Sequence, residues 1–179
     1  MADDSSIPVL LYNVPGRTGC DMQPETTAAL APHPRICGIK EARNDVERMQ
    51  QLLPLRGDGF VVLSGDDPTA ARAMLAGADG VVSVASNVLP RAMRRLCELA
   101  RHGHGEEALA LHADLAPCFG FLAIEPNPIP LKALLERAGI GHGLRLPLTP
   151  LSPEHAEAAE EAASRIQQLE QQCRGHLAA

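Results

Sequence analysis

The chain has 179 residues, 45% of them apolar and 21% charged, and a formal net charge of −6. That is about one domain's length, with enough apolar surface for a core, which excludes a disordered chain. One tyrosine, three phenylalanines and no tryptophan on an acidic chain also exclude nucleic-acid binding, since phosphate neutralisation needs a basic face and base stacking needs aromatic platforms.

No apolar run reaches the length of a membrane span, and "MADDSS" lacks the basic start and apolar stretch of a signal peptide. A cytoplasmic protein without a membrane partner is therefore expected. Cys20, Cys37, Cys97, Cys118 and Cys173 form no C-x-x-C pair, and such scattered cysteines serve mostly as small buried apolar groups. Of the 16 basic residues only Lys40 and Lys132 are lysines, the residue type whose amine can be made nucleophilic.

The first apolar run, "IPVLLY" (7–12), ends in Tyr12 and passes into a turn carrying Arg17. A helix with Pro24 in its first turn follows over "QPETTAALA". The second run, "RICGIK" (35–40), ends in Lys40, and "NDVERMQQLL" behind it reads as a helix capped by Asn44 or Asp45. "FVVLS" (60–64) leads through Gly65 into "DDPTAARAMLAGA", with Asp67 expected at the N-cap, Pro68 at N1 and Gly77 at the close. "GVVSV" (80–84) presents Val82 near its end, and "NVLPRAMRRLCELARHG" is apolar at helical spacing up to Gly103.

These four runs are uniformly apolar, the pattern of strands covered on both faces, and their alternation with helices is the βαβ rhythm of a parallel sheet. Beyond residue 103 the strands stop. "HGEEALALHADLAPCF", "PIPLKALLERAG" and "SPEHAEAAEEAASRIQQLEQQC" read as three helices, the last with Ser152 as N-cap and Pro153 at N1. Four parallel strands can form an open sheet or half of an eight-stranded barrel, and the pattern alone leaves both open.

In either fold the functional loops lie beyond the carboxyl ends of the strands. Sequential strands usually pair, which brings Tyr12 and Lys40 to one rim. Lys40 closes an apolar run, so its amine would sit against low-dielectric walls that favour the neutral, nucleophilic form. A phenol such as Tyr12 can pass protons to and from a carbinolamine. Arg17 offers a planar fork for a carboxylate, and Gly65 leaves room for a small ligand near the backbone. Together they suggest imine chemistry on a small keto acid. Each residue also has a plainer role: Lys40 as a solvated rim residue paired with Glu41 or with a loop acid, Tyr12 as core packing, Arg17 as a brace for its own loop. Asp66 and Asp67 read as helix caps. "HGH" (102–104) with His112 has no carboxylate or thiol at ligand spacing, so no metal is expected.

"YNVPGRTG" (12–19) and "GIKEA" (38–42) closely resemble the paired signature of the dihydrodipicolinate synthase family, within the pyruvate-dependent class I aldolase superfamily that includes N-acetylneuraminate lyase. Tyr12, Pro15, Thr18, Met22, Ile36, Gly38 and Lys40 fit its spacing. "LSGDD", "GVVSV", "EPNPIPLK" and "LRLPLTPLS" carry the resemblance to about residue 165. It implies a TIM (β/α)8 barrel, with residues 1–102 forming its last four βα units and residues 103–179 a C-terminal helical extension. It also implies Lys40 as the Schiff-base lysine, Tyr12 as a proton relay, Arg17 on the carboxylate of the aldehyde substrate, and Gly65 and Val82 lining the pyruvate pocket. The implied reaction condenses pyruvate with L-aspartate 4-semialdehyde, without a cofactor, in lysine and diaminopimelate synthesis. A homo-oligomer, a tetramer in the family, is implied as well.

By the same resemblance "VLLYNVP" matches the family's fifth strand. The expected chain is thus a truncated one, lacking the first four βα units. With them would go the threonine pair that contacts pyruvate, the second relay tyrosine and most of the allosteric lysine site. Half a barrel leaves strand edges and an apolar sheet face uncovered, so self-association and weak activity are expected. The alternatives are a sugar-acid aldolase of the same superfamily and a non-catalytic remnant that assembles with full-length subunits.

Overall fold

The computed structural model describes residues 2–177 of the chain. Four parallel strands, β1 (Val9–Asn13), β2 (Ile36–Glu41), β3 (Val61–Ser64) and β4 (Gly80–Val81), pair in the order β1-β2-β3-β4. Between them run α1 (Pro15–Thr18), α2 (Pro24–Leu30), α3 (Val46–Leu52) and α4 (Ala70–Leu75). The remaining helices are α5 (Pro90–Arg101), α6 (Gly105–Leu122), α7 (Ile129–Arg137) and α8 (Ala156–Gln172). The chain divides into two compact units. One comprises the segment up to Ser83 with Ala100–Gly105, and the other Val84–Leu99 with the segment from Glu106 onward.

In the first unit, alternation along each strand separates two faces. Ile39 and Val62 are completely buried and pack with Ile36, Met49, Leu52, Phe60, Ala73 and Ala78 in one core beneath the helices. Each of these side chains larger than alanine contributes about 1.5–3 kcal/mol on leaving water. The opposite face is open: Leu10 is 38% exposed, Tyr12 46%, Val61 36% and Val82 40%. The uniformly apolar runs had suggested cover on both faces, and only one is covered. An irregularity in register opposite the Val9–Leu10 step places an extra residue, Cys37, in β2. It lets Ile36 and Ile39 enter the same core while Gly38 and Lys40 face the open side. Gly38 is required there, because a Cβ would strike the Val61 carbonyl.

Local signals account for the helix ends. Asp45 caps α3, its Oδ1 accepting from the Glu47 amide at 2.9 Å. Asp66 takes the capping role expected of Asp67: its Oδ2 accepts from Thr69 N at 3.1 Å and Thr69 Oγ1 at 2.7 Å. The shift arises because α4 is preceded by a 3-10 turn, Asp67–Thr69, which moves the cap one residue upstream. Gly77, at φ 119°, ends α4 as expected.

The second unit is helical. Leu89, just before α5, and Ala92, Met93, Leu96 and Leu99 along it are buried, as are Leu115, Cys118 and Phe119 along α6. The first turn of α5 is capped from far along the chain: Glu170 Oε1 accepts from the Arg91 and Ala92 amides at 2.9 and 3.0 Å. Ser152 makes no side-chain cap for the turn before α8; its amide donates to Glu125 at 3.0 Å. No helix among the described residues is long and apolar enough to cross a membrane.

Candidate active site

Tyr12 and Lys40 are direct partners across β1 and β2. Both side chains rise from the open face, and Lys40 Nζ lies 4.1 Å from the centroid of the Tyr12 ring. A cation at that distance from an aromatic face is attracted by the ring quadrupole. Lys40 is half-buried rather than enclosed by the apolar walls the sequence had suggested. Its register neighbour on the other side is Leu63.

Gly65, just beyond β3, has a more specific role than leaving room for a ligand. A Cβ there would lie 2.9 Å from Lys40 Cε and 3.0 Å from Lys40 Cγ. The missing side chain is the space that the lysine stem fills. Val82 follows Gly80 on the open face, two strands from Lys40 and hence about 10 Å away laterally. Its amide extends the sheet by donating to the Ser64 carbonyl at 2.8 Å. Arg17 is exposed in α1, at the apex of the loop that leaves β1. Tyr12, Lys40 and Gly65 therefore converge, while Val82 lies two strands away and Arg17 sits on the loop that follows Tyr12. Lys132 is half-buried in α7, in the other unit.

Directly behind this pair, on the helix side, lies a polar network that the sequence reading missed. Asn13 and Glu41 are also register partners, one step beyond Tyr12 and Lys40, and they are 2% and 1% exposed. Asn13 Nδ2 donates to Glu41 Oε1 and Oε2 at 3.0 and 2.9 Å and to Asp21 Oδ1 at 2.8 Å. Arg48, on α3, sends NH1 and NH2 to the two oxygens of Asp21 at 2.9 and 2.8 Å and stands 3.6 Å from Glu41. The Arg43 amide donates to Glu41 Oε1 at 2.8 Å. Glu41 therefore faces away from Lys40 and is not its ion-pair partner.

Burial pushes the Glu41 carboxyl above the ordinary glutamate range, against the pull of its hydrogen bonds from Asn13 and the Arg43 amide. Asp21 moves the other way, because hydrogen bonds from Arg48 and then Asn13 hold it well below the ordinary aspartate range. The available signal was the pair of polar residues, "YN" and "KE", closing two otherwise apolar strands. Among the described residues no group of three or more His, Cys, Asp or Glu side chains could hold a metal ion.

The fold and site define an α/β protein on parallel strands whose lysine and tyrosine share one face near the strands' carboxyl ends. The chain belongs to the dihydrodipicolinate synthetase family, whose sequence pattern it matches over residues 1–166. It is 62% identical over 170 residues to the 4-hydroxy-tetrahydrodipicolinate synthase of Xanthomonas campestris, a match covering 95% of this chain and 56% of that protein. It is 47% identical to that of Cellvibrio japonicus, over 90% of this chain and 56% of the relative. Among solved structures, the 4-hydroxy-tetrahydrodipicolinate synthase of Methylacidiphilum fumariolicum SolV superposes with a TM-score of 0.90 at 41% identity, over 99% of this chain and 60% of that one. The chloride-inhibited dihydrodipicolinate synthase of Acinetobacter baumannii, complexed with pyruvate, gives 0.88 at 41% identity, over 93% and 57%. The chain thus spans little more than half the length of the curated relatives it matches.

Proposed function

We propose that this chain carries the imine-forming part of a 4-hydroxy-tetrahydrodipicolinate synthase, which condenses pyruvate with L-aspartate 4-semialdehyde in lysine and diaminopimelate synthesis. The observation that carries this reading is the Lys40 amine 4.1 Å from the Tyr12 ring on the open face of a parallel sheet.

The Lys40 amine attacks the keto carbon of pyruvate, and the carbonyl oxygen leaves as water from the carbinolamine. Tyr12 delivers and removes the protons of those steps through its hydroxyl. Loss of a methyl proton turns the imine into an enamine. Its nucleophilic carbon adds to the aldehyde of the second substrate, forming the new carbon–carbon bond. Arg17 receives that substrate's carboxylate through paired N–H donors, and Gly65 and Val82 border the pyruvate. No cofactor is needed, because the protonated imine is itself the electron sink.

On this reading residues 1–102 are the last four βα units of a TIM barrel and residues 103–179 its C-terminal helical extension. The open face, with Leu10, Tyr12, Val61 and Val82 exposed, closes when four further strands complete the barrel, in a cytoplasmic homo-oligomer. A second reading, a non-catalytic piece that assembles with full-length subunits, draws on the same exposed face. Borohydride reduction with pyruvate, followed by peptide mass mapping, separates the two. The enzyme reading expects a reduced pyruvate adduct on Lys40 and none on Lys132; an unmodified Lys40 overturns it.

A further inference from the structure

We infer that Asn13, Glu41, Asp21 and Arg48 form a positioning network that holds Tyr12, Lys40 and the Arg17 loop in working register, an inference that rests on the function proposed for Lys40 and Tyr12. A one-residue slip between parallel strands moves every side chain to the other face. At β1 and β2 such a slip would turn Lys40 or Tyr12 away from its partner. The bond between Asn13 and Glu41 joins the strands at the step just past the reactive pair. Main-chain pairing alone does not distinguish one register from the next, whereas a side-chain clip does.

The same asparagine also closes the loop that carries Arg17. Its Nδ2 donates to Asp21, and its Oδ1 accepts from the Met22 amide at 2.9 Å. Both ends of the excursion through α1 are thereby fixed to one side chain. Arg48 anchors the assembly to α3 by its paired bonds to Asp21 and a further bond to the Met22 carbonyl at 2.8 Å. Both N–H bonds and the carbonyl of the Asn13 amide are in use, with one N–H shared between the Glu41 oxygens.

Burying such a network is a poor route to stability, since well-packed apolar side chains of like volume often serve as well or better. A network that is costly to bury and lies one residue from both reactive side chains fits a role in geometry. Its members touch no reacting atom, so they act through Tyr12, Lys40 and the Arg17 loop.

The chain offers an unusually clean probe, having one tyrosine and two lysines. With 13C-labelled lysine in the full chain, the Lys40 ε-methylene resonance is expected upfield of that of Lys132, shielded by the Tyr12 ring. Tyr12→Leu should abolish that displacement. Asn13→Ala should abolish it too while the chain still melts cooperatively. Should Asn13→Ala not fold, Glu41→Gln, which keeps the shape and half the acceptors, should reduce the displacement. A folded Asn13→Ala chain, or failing that Glu41→Gln, that keeps the full displacement overturns the inference. In parallel, pyruvate trapping on Lys40 should slow about tenfold or more in Asn13→Ala. If the parent chain traps no pyruvate, the proposed function fails, while the lysine resonance still decides the positioning role.

Discussion

The two faces of the four-stranded sheet are built from alternate residues of the same strands, yet they differ in almost every physical respect. The helix side holds Ile39 and Val62 at zero exposure and a saturated polar network around Asn13 and Glu41. The open side holds Leu10, Tyr12 and Val82 in partial contact with solvent, with the lysine among them. The contrast shows how adjacent residues come to do unrelated work. Tyr12 and Lys40 stand on the open face while Asn13 and Glu41, one peptide along, are buried and hydrogen-bonded.

If that division holds, replacing Lys40 tests chemistry with little effect on folding. Lys40→Ala should eliminate borohydride trapping of pyruvate altogether. Lys40→Arg keeps a cation above the Tyr12 ring but offers no amine for an imine. It should leave the urea midpoint nearly unchanged and also trap nothing. Trapping that persists in either variant would place the reactive amine elsewhere.

The packing difference between the faces can be measured with two truncations. Ile39→Ala, on the helix side, should cost about 3 kcal/mol, because it removes a fully buried side chain and leaves a cavity. Leu10→Ala, on the open side, should cost less than about 1 kcal/mol. Urea unfolding of both gives the comparison directly. Equal costs would mean that the open face is covered in solution, as it would be if a second copy or further strands sat upon it.

Gly65→Ala probes the junction of the two faces. The new methyl would press on Lys40 Cε and on Ala42 Cβ, each at 2.9 Å, so the lysine stem must move off the Tyr12 ring. A displacement of that size is expected to slow imine formation about tenfold, with a smaller effect on stability. Unchanged trapping would show that the stem has slack to spare.

Much of this architecture was legible in the sequence. Apolar runs marked all four strands, Pro24, Asp45 and Gly77 marked helix ends, and the residues ending the first two runs, Tyr12 and Lys40, are the pair that the sheet sets side by side. What escaped was information that depends on which face a side chain takes. A uniformly apolar strand does not say that one of its faces is open, and the extra residue at Cys37 changes face parity without altering the pattern. Glu41 looked like a partner for Lys40 because it is adjacent in sequence, and adjacency in a strand is what separates the two. Asp66 displaced Asp67 as a cap through a 3-10 turn that composition does not reveal. Glu170 reaches the start of α5 across a separation that no local signal spans.

The smallest expected effect is a change in the pH dependence of stability, with opposite signs for the network's two carboxylates. Burial raises the Glu41 carboxyl. Between its unfolded and folded values, the folded chain holds a proton that the unfolded chain has released, so stability falls as pH rises through that window. Below the unfolded value this contribution is fully present, and above the folded value it is lost. Asp21 is depressed by Arg48 and Asn13, so its contribution is present above the ordinary aspartate range and is lost as pH falls below it. Glu41→Gln should therefore remove the decline just above the ordinary glutamate range, and Asp21→Asn should flatten the profile on the acid side. Urea midpoints measured across the acid range report both slopes. Because Lys40 and Tyr12 lie on the other face, neither slope should follow the chemistry at the amine. A Lys40→Arg chain that lost the same two slopes would show that the faces are electrostatically coupled.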